Sequence, residues 1–358
     1  MRIVRVLGVL EPGGAQLSAL RLSRAQGALG VQTRLLAGAA TPQGLALARL
    51  HGFEAEAMVV HDEIGYAVQQ WTPDPLFARW LGDRLGGADL VHAHMVGAWW
   101  AAAQSAPARL PLMASEHNAL TWPLGDHTAT VAEVAPRVDR FFVHGPDPHA
   151  FIRQLGVDPE RVETGRSAVS VNSRPRPGLV EPRVTFTGRL REDKGPDLLL
   201  LALATLRDPP TTYVVGDGPM MSRLRDLTEL LGLDRVVRFT GWSHEPTRYV
   251  AGSSVHVVPS REEAWSQSAV TALALGVPVV ATAVDGLPVT LAHGRGLLVD
   301  VDPTAIGAAI QAVLDGRVDV DVAGGRRYAA AFQPAEIASE YFAVYQQVLA
   351  SRALIRPL

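Results

Sequence analysis

The chain has no cysteine, which excludes thiolate catalysis, thiolate-held zinc and disulfides. Lysine is almost missing too: of 33 basic residues only Lys194 is a lysine, in a sequence rich in Ala, Gly and Pro. A lone lysine among arginines is expected where a compact, flexible ammonium suits better than a planar fork. Charge of either sign is sparse, at 19% of residues, and a formal net charge of -3 argues against a nucleic-acid or polybasic membrane-binding protein. Long apolar runs are also lacking. Segments such as Met95–Ala103 and Leu198–Leu206 fall well short of the roughly 20 residues needed to cross a bilayer. The opening MRIVRVLGVL is followed by no cleavage-site pattern and reads as a buried strand. These absences define the expectation of a soluble, cytoplasmic, globular protein, a monomer or weak homodimer with no nucleic-acid or membrane partner.

What is present is a large apolar fraction, 47% of 358 residues, enough for two domains. Short apolar runs alternate with helix-like segments, the mark of parallel sheets covered on both faces. The expected strands are Ile3–Leu10, Thr33–Ala37, Leu90–His94, Leu112–Ser115 and Arg140–Val143 in the first half. An arginine- and proline-bearing stretch from Gly165 to Pro182 reads as a linker. Beyond it the expected strands are Arg183–Thr187, Thr211–Val215, Val236–Phe239, Val255–Val258 and Val279–Ala281, and a periodic helix covers Ala335–Leu349. Ligands of open α/β sheets bind outside the carboxyl ends of the strands, so two such domains imply an interdomain cleft.

Four loops stand at strand ends. Glu11-Pro12-Gly13-Gly14 offers close backbone approach ahead of a helix N-terminus. Gly188-Arg189 to Lys194-Gly195 places two cations, five residues apart, before another helix, which suits a diphosphate. Gly216-Asp217-Gly218 lacks the third glycine of a dinucleotide fingerprint and reads as a tight turn, not a nicotinamide-cofactor site. In Pro259–Ala269, Glu263 is expected on sugar hydroxyls and the backbone of Ser266, Gln267 and Ser268 on a phosphate; capping of the following helix by the carboxylate is the competing explanation. His92 and His94, placed on opposite faces of their strand, read with His117 as buried histidines and not as a metal site. Trp99, Trp100 and Trp122 read as core before pocket lining. Asp300, Asp302, Asp319 and Asp321 only superficially resemble metal-binding pairs.

The string PSREEAWSQSAVTALALGVPVVAT resembles the donor-binding signature of retaining GT-B glycosyltransferases of family 4. FTGRLREDKG, VVGDGPM, VRFTGW and EPGGAQ fit that family in order and spacing. The resemblance implies an α/β GT-B fold, two Rossmann-like domains facing a cleft. Residues 1–170 would form the acceptor domain and 171–334 the nucleotide-sugar domain, with 335–358 crossing back to the first. It implies a UDP-sugar co-substrate and no metal or other cofactor. Arg189 and Lys194 would bind the diphosphate and Glu263 the sugar. Gly13, Gly14, Gly188, Gly216, Gly218 and Trp242 would line the donor site, and His117 would be the catalytic histidine of the first domain.

One position departs from the family. The second signature glutamate, eight residues after Glu263, is replaced by Thr271, which weakens the expected ribose contact to a neutral hydrogen bond. The overall pattern is most similar to the subgroup that glycosylates 2-deoxystreptamine pseudodisaccharides such as paromamine in aminoglycoside antibiotic biosynthesis. An acidic excess in residues 1–165, 16 acidic against 13 basic, is compatible with such a cationic acceptor, with Glu11, Glu116 and Asp126 as the candidate contacts. A nucleotide-sugar 2-epimerase of the same fold and a non-catalytic sugar-nucleotide binding protein remain open as alternatives.

Overall fold

The structure is a computed structural model that describes residues 1–62, 72–117, 127–171 and 174–354, excepting the Asp147 side chain. The chain forms two compact units, Met1–Ala168 with Phe332–Leu358, and Val169–Ala331. Each is an open, all-parallel α/β sheet.

Strands of the first unit are β1 (Arg2–Leu10), β2 (Gln32–Ala40), β3 (Ala55–Val60), β4 (Leu90–His94), β5 (Leu112–Glu116), β6 (Arg140–Val143) and β7 (Val162–Thr164). Their spatial order is β3-β2-β1-β4-β5-β6-β7. The direction of progression reverses between β1 and β4, which makes that seam the topological switch point. Every residue of β4 and β5 is buried, as expected for strands covered on both sides, though His92, His94, Ser115 and Glu116 make part of that interior polar. Trp99 belongs to the core, and Trp100 packs at its edge with its indole nitrogen donating to Glu133. Trp122 lies outside the described residues.

The second unit contains β8 (Arg183–Thr187), β9 (Thr211–Val215), β10 (Val237–Gly241), β11 (Val255–Val258), β12 (Val279–Thr282) and β13 (Leu297–Val299). They are ordered β10-β9-β8-β11-β12-β13, with the switch point between β8 and β11. Several helices start on short polar caps. Thr41, Asp74 and Asp302 each accept a first-turn N–H and are each followed by proline, whose fixed φ suits the first helical position. The carboxylates of Asp302 and Asp321 are helix caps, bonding Ala305 and Gly324 N–H.

Three strands were not expected from sequence: β3, β7 and β13. All are edge strands: β3 is half exposed and carries Glu56, and β7 and β13 are only three residues long. The expected helix at the end of the chain spans Pro334–Leu354 and docks on the first unit. Tyr341 Oη donates to the Arg166 carbonyl and accepts from its N–H, at 3.3 and 3.2 Å. Arg352 grips Asp139 through two bonds of 2.8 and 2.9 Å. Among the described residues no helix is long and apolar enough to cross a membrane.

Candidate active site

Three of the four expected loops belong to the second unit and meet at the carboxyl ends of its strands. Gly195, which ends the β8 loop, has φ +60°, and a Cβ there would overlap the carbonyl of Pro259 just beyond β11. Only glycine permits that approach. It closes the switch point and brings Lys194 Nζ to 3.0 Å from Glu263 Oε2. Gly216 repeats the device on the other side: with φ +143°, its Cβ would run into the Gly188 carbonyl. Backbone bonds then stitch the β8 and β9 loops together, Gly188 N to Val215 O at 3.1 Å and Leu190 N to Asp217 O at 2.9 Å. Gly216 N–H donates to Gly241 O, which ties in the segment carrying Trp242. Trp242 is exposed, edge-on to His244.

The Glu263 loop is held from both sides. Arg261 donates to both oxygens of Asp197, at 2.9 and 2.7 Å. Burial works against that carboxylate, yet the hydrogen bonds and charge of Arg261 leave its pKa below the ordinary value. On the far side Glu263 N–H donates to Asp285 Oδ2 at 2.6 Å, and Gly286 N–H donates to Glu263 O at 3.0 Å. Asp285 and Gly286 follow β12 and were not expected from sequence; a carboxylate three residues past a strand end was the available signal.

The cap of the helix Gln267–Leu275 is Ser266, whose Oγ accepts from Ala269 N–H, so Glu263 does not serve as the cap. Ser266 Oγ also lies 3.2 Å from Ser268 Oγ, and Thr271 stands one turn further along the same helix. Glu263 instead faces Lys194 and Ser260. Burial pushes its carboxyl pKa up, and the charge and hydrogen bond of Lys194 oppose that without cancelling it. A part-buried carboxylate against an ammonium, ringed by strand-end backbone, can take ligand hydroxyls on the acid and phosphate oxygens on the cation. Arg189 sits in the turn after β8, its carbonyl accepting from Arg191 N–H.

In the first unit Glu11 is buried at the end of β1, and Gly13 caps the helix Gly14–Gly27. Glu116 is fully buried, and its Oε1 accepts from His117 N–H at 2.9 Å. Asp126 lies outside the described residues. The placement of His92 and His94 on opposite faces is corrected. Residues two apart on a strand share a face, and the two rings stack at 4.4 Å. His94 Nδ1 lies 3.0 Å from His117 Nε2, and the His117 ring packs 4.2 Å from that of His144. Burial, then the neighbouring charges, holds His92, His94 and His117 well below the ordinary histidine pKa; burial, opposed by hydrogen bonds to the backbone of Glu116 and Arg166, holds His144 at about 4. Among the described residues no group of His, Asp and Glu side chains is arranged to hold a metal ion.

A fold of two parallel Rossmann-like sheets, with cation and carboxylate at the switch point of the second, defines the class of GT-B glycosyltransferases. Residues 12–171 match the model described as Glycosyltransferase Family 4, and 181–316 match Glycosyl transferases group 1. The D-inositol 3-phosphate glycosyltransferase of Frankia alni is 30% identical over 344 residues, 82% of this chain and 83% of that one. That of Geodermatophilus obscurus is 36% identical over 222 residues, 57% of this chain and 48% of the relative, so this match spans about half of that protein's length. The chain belongs to glycosyltransferase family 4. In fold it is similar to Anabaena Alr3699/HepE solved with UDP-glucose, at TM-score 0.82 and 20% identity over 98% of this chain and 100% of that one. Sucrose-phosphate synthase from Thermosynechococcus elongatus gives TM-score 0.75 and 21% identity, with the same coverage.

Proposed function

We propose that the protein transfers a sugar, with retention of anomeric configuration, from a UDP-sugar to a small cyclitol-containing acceptor. The observation that carries this reading is the Lys194–Glu263 pair at 3.0 Å, set across the switch point of the second unit. Lys194 and Arg189 take the diphosphate oxygens, and Glu263 accepts from hydroxyls of the transferred sugar. Trp242 borders the base. His117 of the first unit is assigned to the sugar as well. As the bond from C1 to the phosphate oxygen breaks, negative charge grows on the diphosphate and is stabilised by cations already in place. The acceptor oxygen bonds to C1 on the same face, and its proton passes to the departing phosphate oxygen. The reaction needs no metal in this scheme, because fixed cations supply the charge; a chelator leaves turnover unchanged.

For the acceptor, the proposal is a 2-deoxystreptamine pseudodisaccharide of the paromamine type. Its support is the likeness in EPGGAQ, ASEHNALTWP, FTGRLREDKGPDLL and SREEAWSQSAV together with the acidic excess of residues 1–165. A phosphorylated cyclitol is the second reading, favoured by the activity named for the Frankia alni relative. The two differ in charge, so one experiment separates them: incubation with a panel of UDP-sugars and either paromamine or D-inositol 3-phosphate, read by product mass and UDP release. A paromamine product heavier by one sugar residue supports the proposal. Product only from the inositol phosphate transfers the assignment to the second reading. UDP release independent of any acceptor speaks against a transferase.

A further inference from the structure

Arg5 occupies the middle of β1 and is 0% exposed. Among the described residues no carboxylate stands within ion-pair distance of it. Its partners are instead neutral groups. Nη2 donates to Gln26 Oε1 at 2.8 Å, and Nη1 meets both His92 Nδ1 at 3.0 Å and His94 Nε2 at 3.1 Å. His92 is the residue directly opposite Arg5 across the β1–β4 seam, so strand register itself delivers this contact.

A guanidinium has hydrogens to give and no lone pair to receive, so each ring nitrogen it meets must be unprotonated. A neutral imidazole then carries its hydrogen on the other nitrogen. For His92 that is Nε2, which lies 2.7 Å from Ser115 Oγ and donates to it. For His94 it is Nδ1, 3.0 Å from His117 Nε2. His117 Nε2 therefore accepts, and the single proton of a neutral His117 lies on Nδ1. That atom is buried and has no hydrogen-bond partner.

We propose that Arg5 is a positioning residue that acts through His94 to fix His117 as the Nδ1–H tautomer, so that the first unit presents a neutral N–H donor to an oxygen lone pair of the bound ligand. An uncharged ring is consistent with the burial of the cluster, where a second proton on His94 would face an Arg5 N–H head-on. The consequence for chemistry is specific. At Nδ1, His117 is a donor to a hydroxyl or phosphate oxygen and does not act there as a base toward the acceptor hydroxyl. Without Arg5 the His94–His117 bond can run in either direction, and the free nitrogen of His117 becomes an acceptor. The role in transfer rests on the assignment of His117 under the proposed function; the tautomer itself does not.

The experiment is a long-range proton–nitrogen correlation spectrum of the full chain labelled with nitrogen-15 histidine, at neutral pH. Resonances are assigned by single His→Gln replacements. The expected pattern is Nδ1–H for His94 and His117 and Nε2–H for His92. It persists in Arg5→Lys, which is also donor-only, and in Arg5→Met the His117 signal moves to Nε2–H or to an average. Nε2–H at His117 in the unmodified protein, or an unchanged Nδ1–H in Arg5→Met, overturns the proposal. Should Arg5→Met not fold, the unmodified and Arg5→Lys spectra decide alone. In turnover, Arg5→Met is expected to lower kcat about tenfold with the donor KM nearly constant, and Arg5→Lys to restore it. The expected spectra without turnover on any UDP-sugar leave the relay standing and remove the proposed function. Turnover with the opposite tautomer does the reverse.

Discussion

Lys194 Nζ and Glu263 Oε2 lie 3.0 Å apart, the first on the loop after β8 and the second on the loop after β11, adjacent strands whose connections leave in opposite directions. Neither loop reaches the other without Gly195, whose missing Cβ leaves room for the Pro259 carbonyl. The only lysine of the sequence therefore sits where one compact charge must serve both a part-buried carboxylate and, in the proposed reaction, a phosphate oxygen.

Lys194→Arg keeps the charge and widens the head group. A planar fork is a poor substitute for a point charge in a space bounded by Asp193 and Glu263. The expected outcome is a fall in kcat/KM on the order of 10²-fold with a melting temperature close to that of the parent. Steady-state kinetics beside a thermal melt check it.

Glu263→Gln separates activity from stability. Burial raises the pKa of this carboxyl in the folded state, so the folded form holds its proton more tightly than the unfolded chain. Its favourable contribution is complete below the unfolded carboxylate pKa and is lost as pH rises through the folded value. At neutral pH the charged carboxylate thus costs stability. Glu263→Gln is expected to melt higher at pH 7 than the parent while losing most transferase turnover.

Gly216→Ala tests the backbone that carries the site. The added Cβ would collide with the Gly188 carbonyl at a φ that side chains rarely adopt. A loss of about 2–4 kcal/mol is expected, with weakened UDP binding, measured by denaturant titration of the variant. Gly178→Ala, at an open position, is the control for positive φ alone.

Acid lability follows from buried neutral histidines. His144 titrates at about 4 and His256 at about 3 in the folded state, both held down by burial, while an unfolded histidine titrates near 6.5. Folded pKa values below the unfolded one mean that the unfolded chain takes up protons first. Stability is therefore unaffected above pH 6.5 and falls as pH drops toward 4, by about 3 kcal/mol from His144 alone. Melting curves between pH 7 and 4 are expected to show this decline, and a shallower one in His144→Gln.

Much of this architecture can be read from the chain. Leu90–His94, Arg140–Val143, Arg183–Thr187, Thr211–Val215 and Val255–Val258 are strands with the expected bounds, because short apolar runs buried on a parallel sheet announce themselves. Edge strands do not: Ala55–Val60 is half exposed and carries Glu56, and Val162–Thr164 is three residues long. The loops bearing Lys194 and Glu263 were legible from residue type at strand ends. The support of Glu263 by Asp285 was not, since 22 residues separate them and only the sheet brings them together. Arg5 was visible as one charged residue inside an apolar strand, but its meaning depends on His92 opposite it and His94 one pleat further on. The placement of His92 and His94 on opposite faces failed on strand periodicity, which puts residues two apart on the same face.

In the proposed reaction the second unit holds the donor diphosphate at Lys194. Calorimetric titration of UDP into the parent protein and into Lys194→Met tests it most directly. Saturable one-to-one binding by the parent is expected, with affinity roughly tenfold or more weaker in a variant that still melts as a folded protein. Equal affinity in the two proteins would contradict it and move the diphosphate away from the Lys194–Glu263 pair.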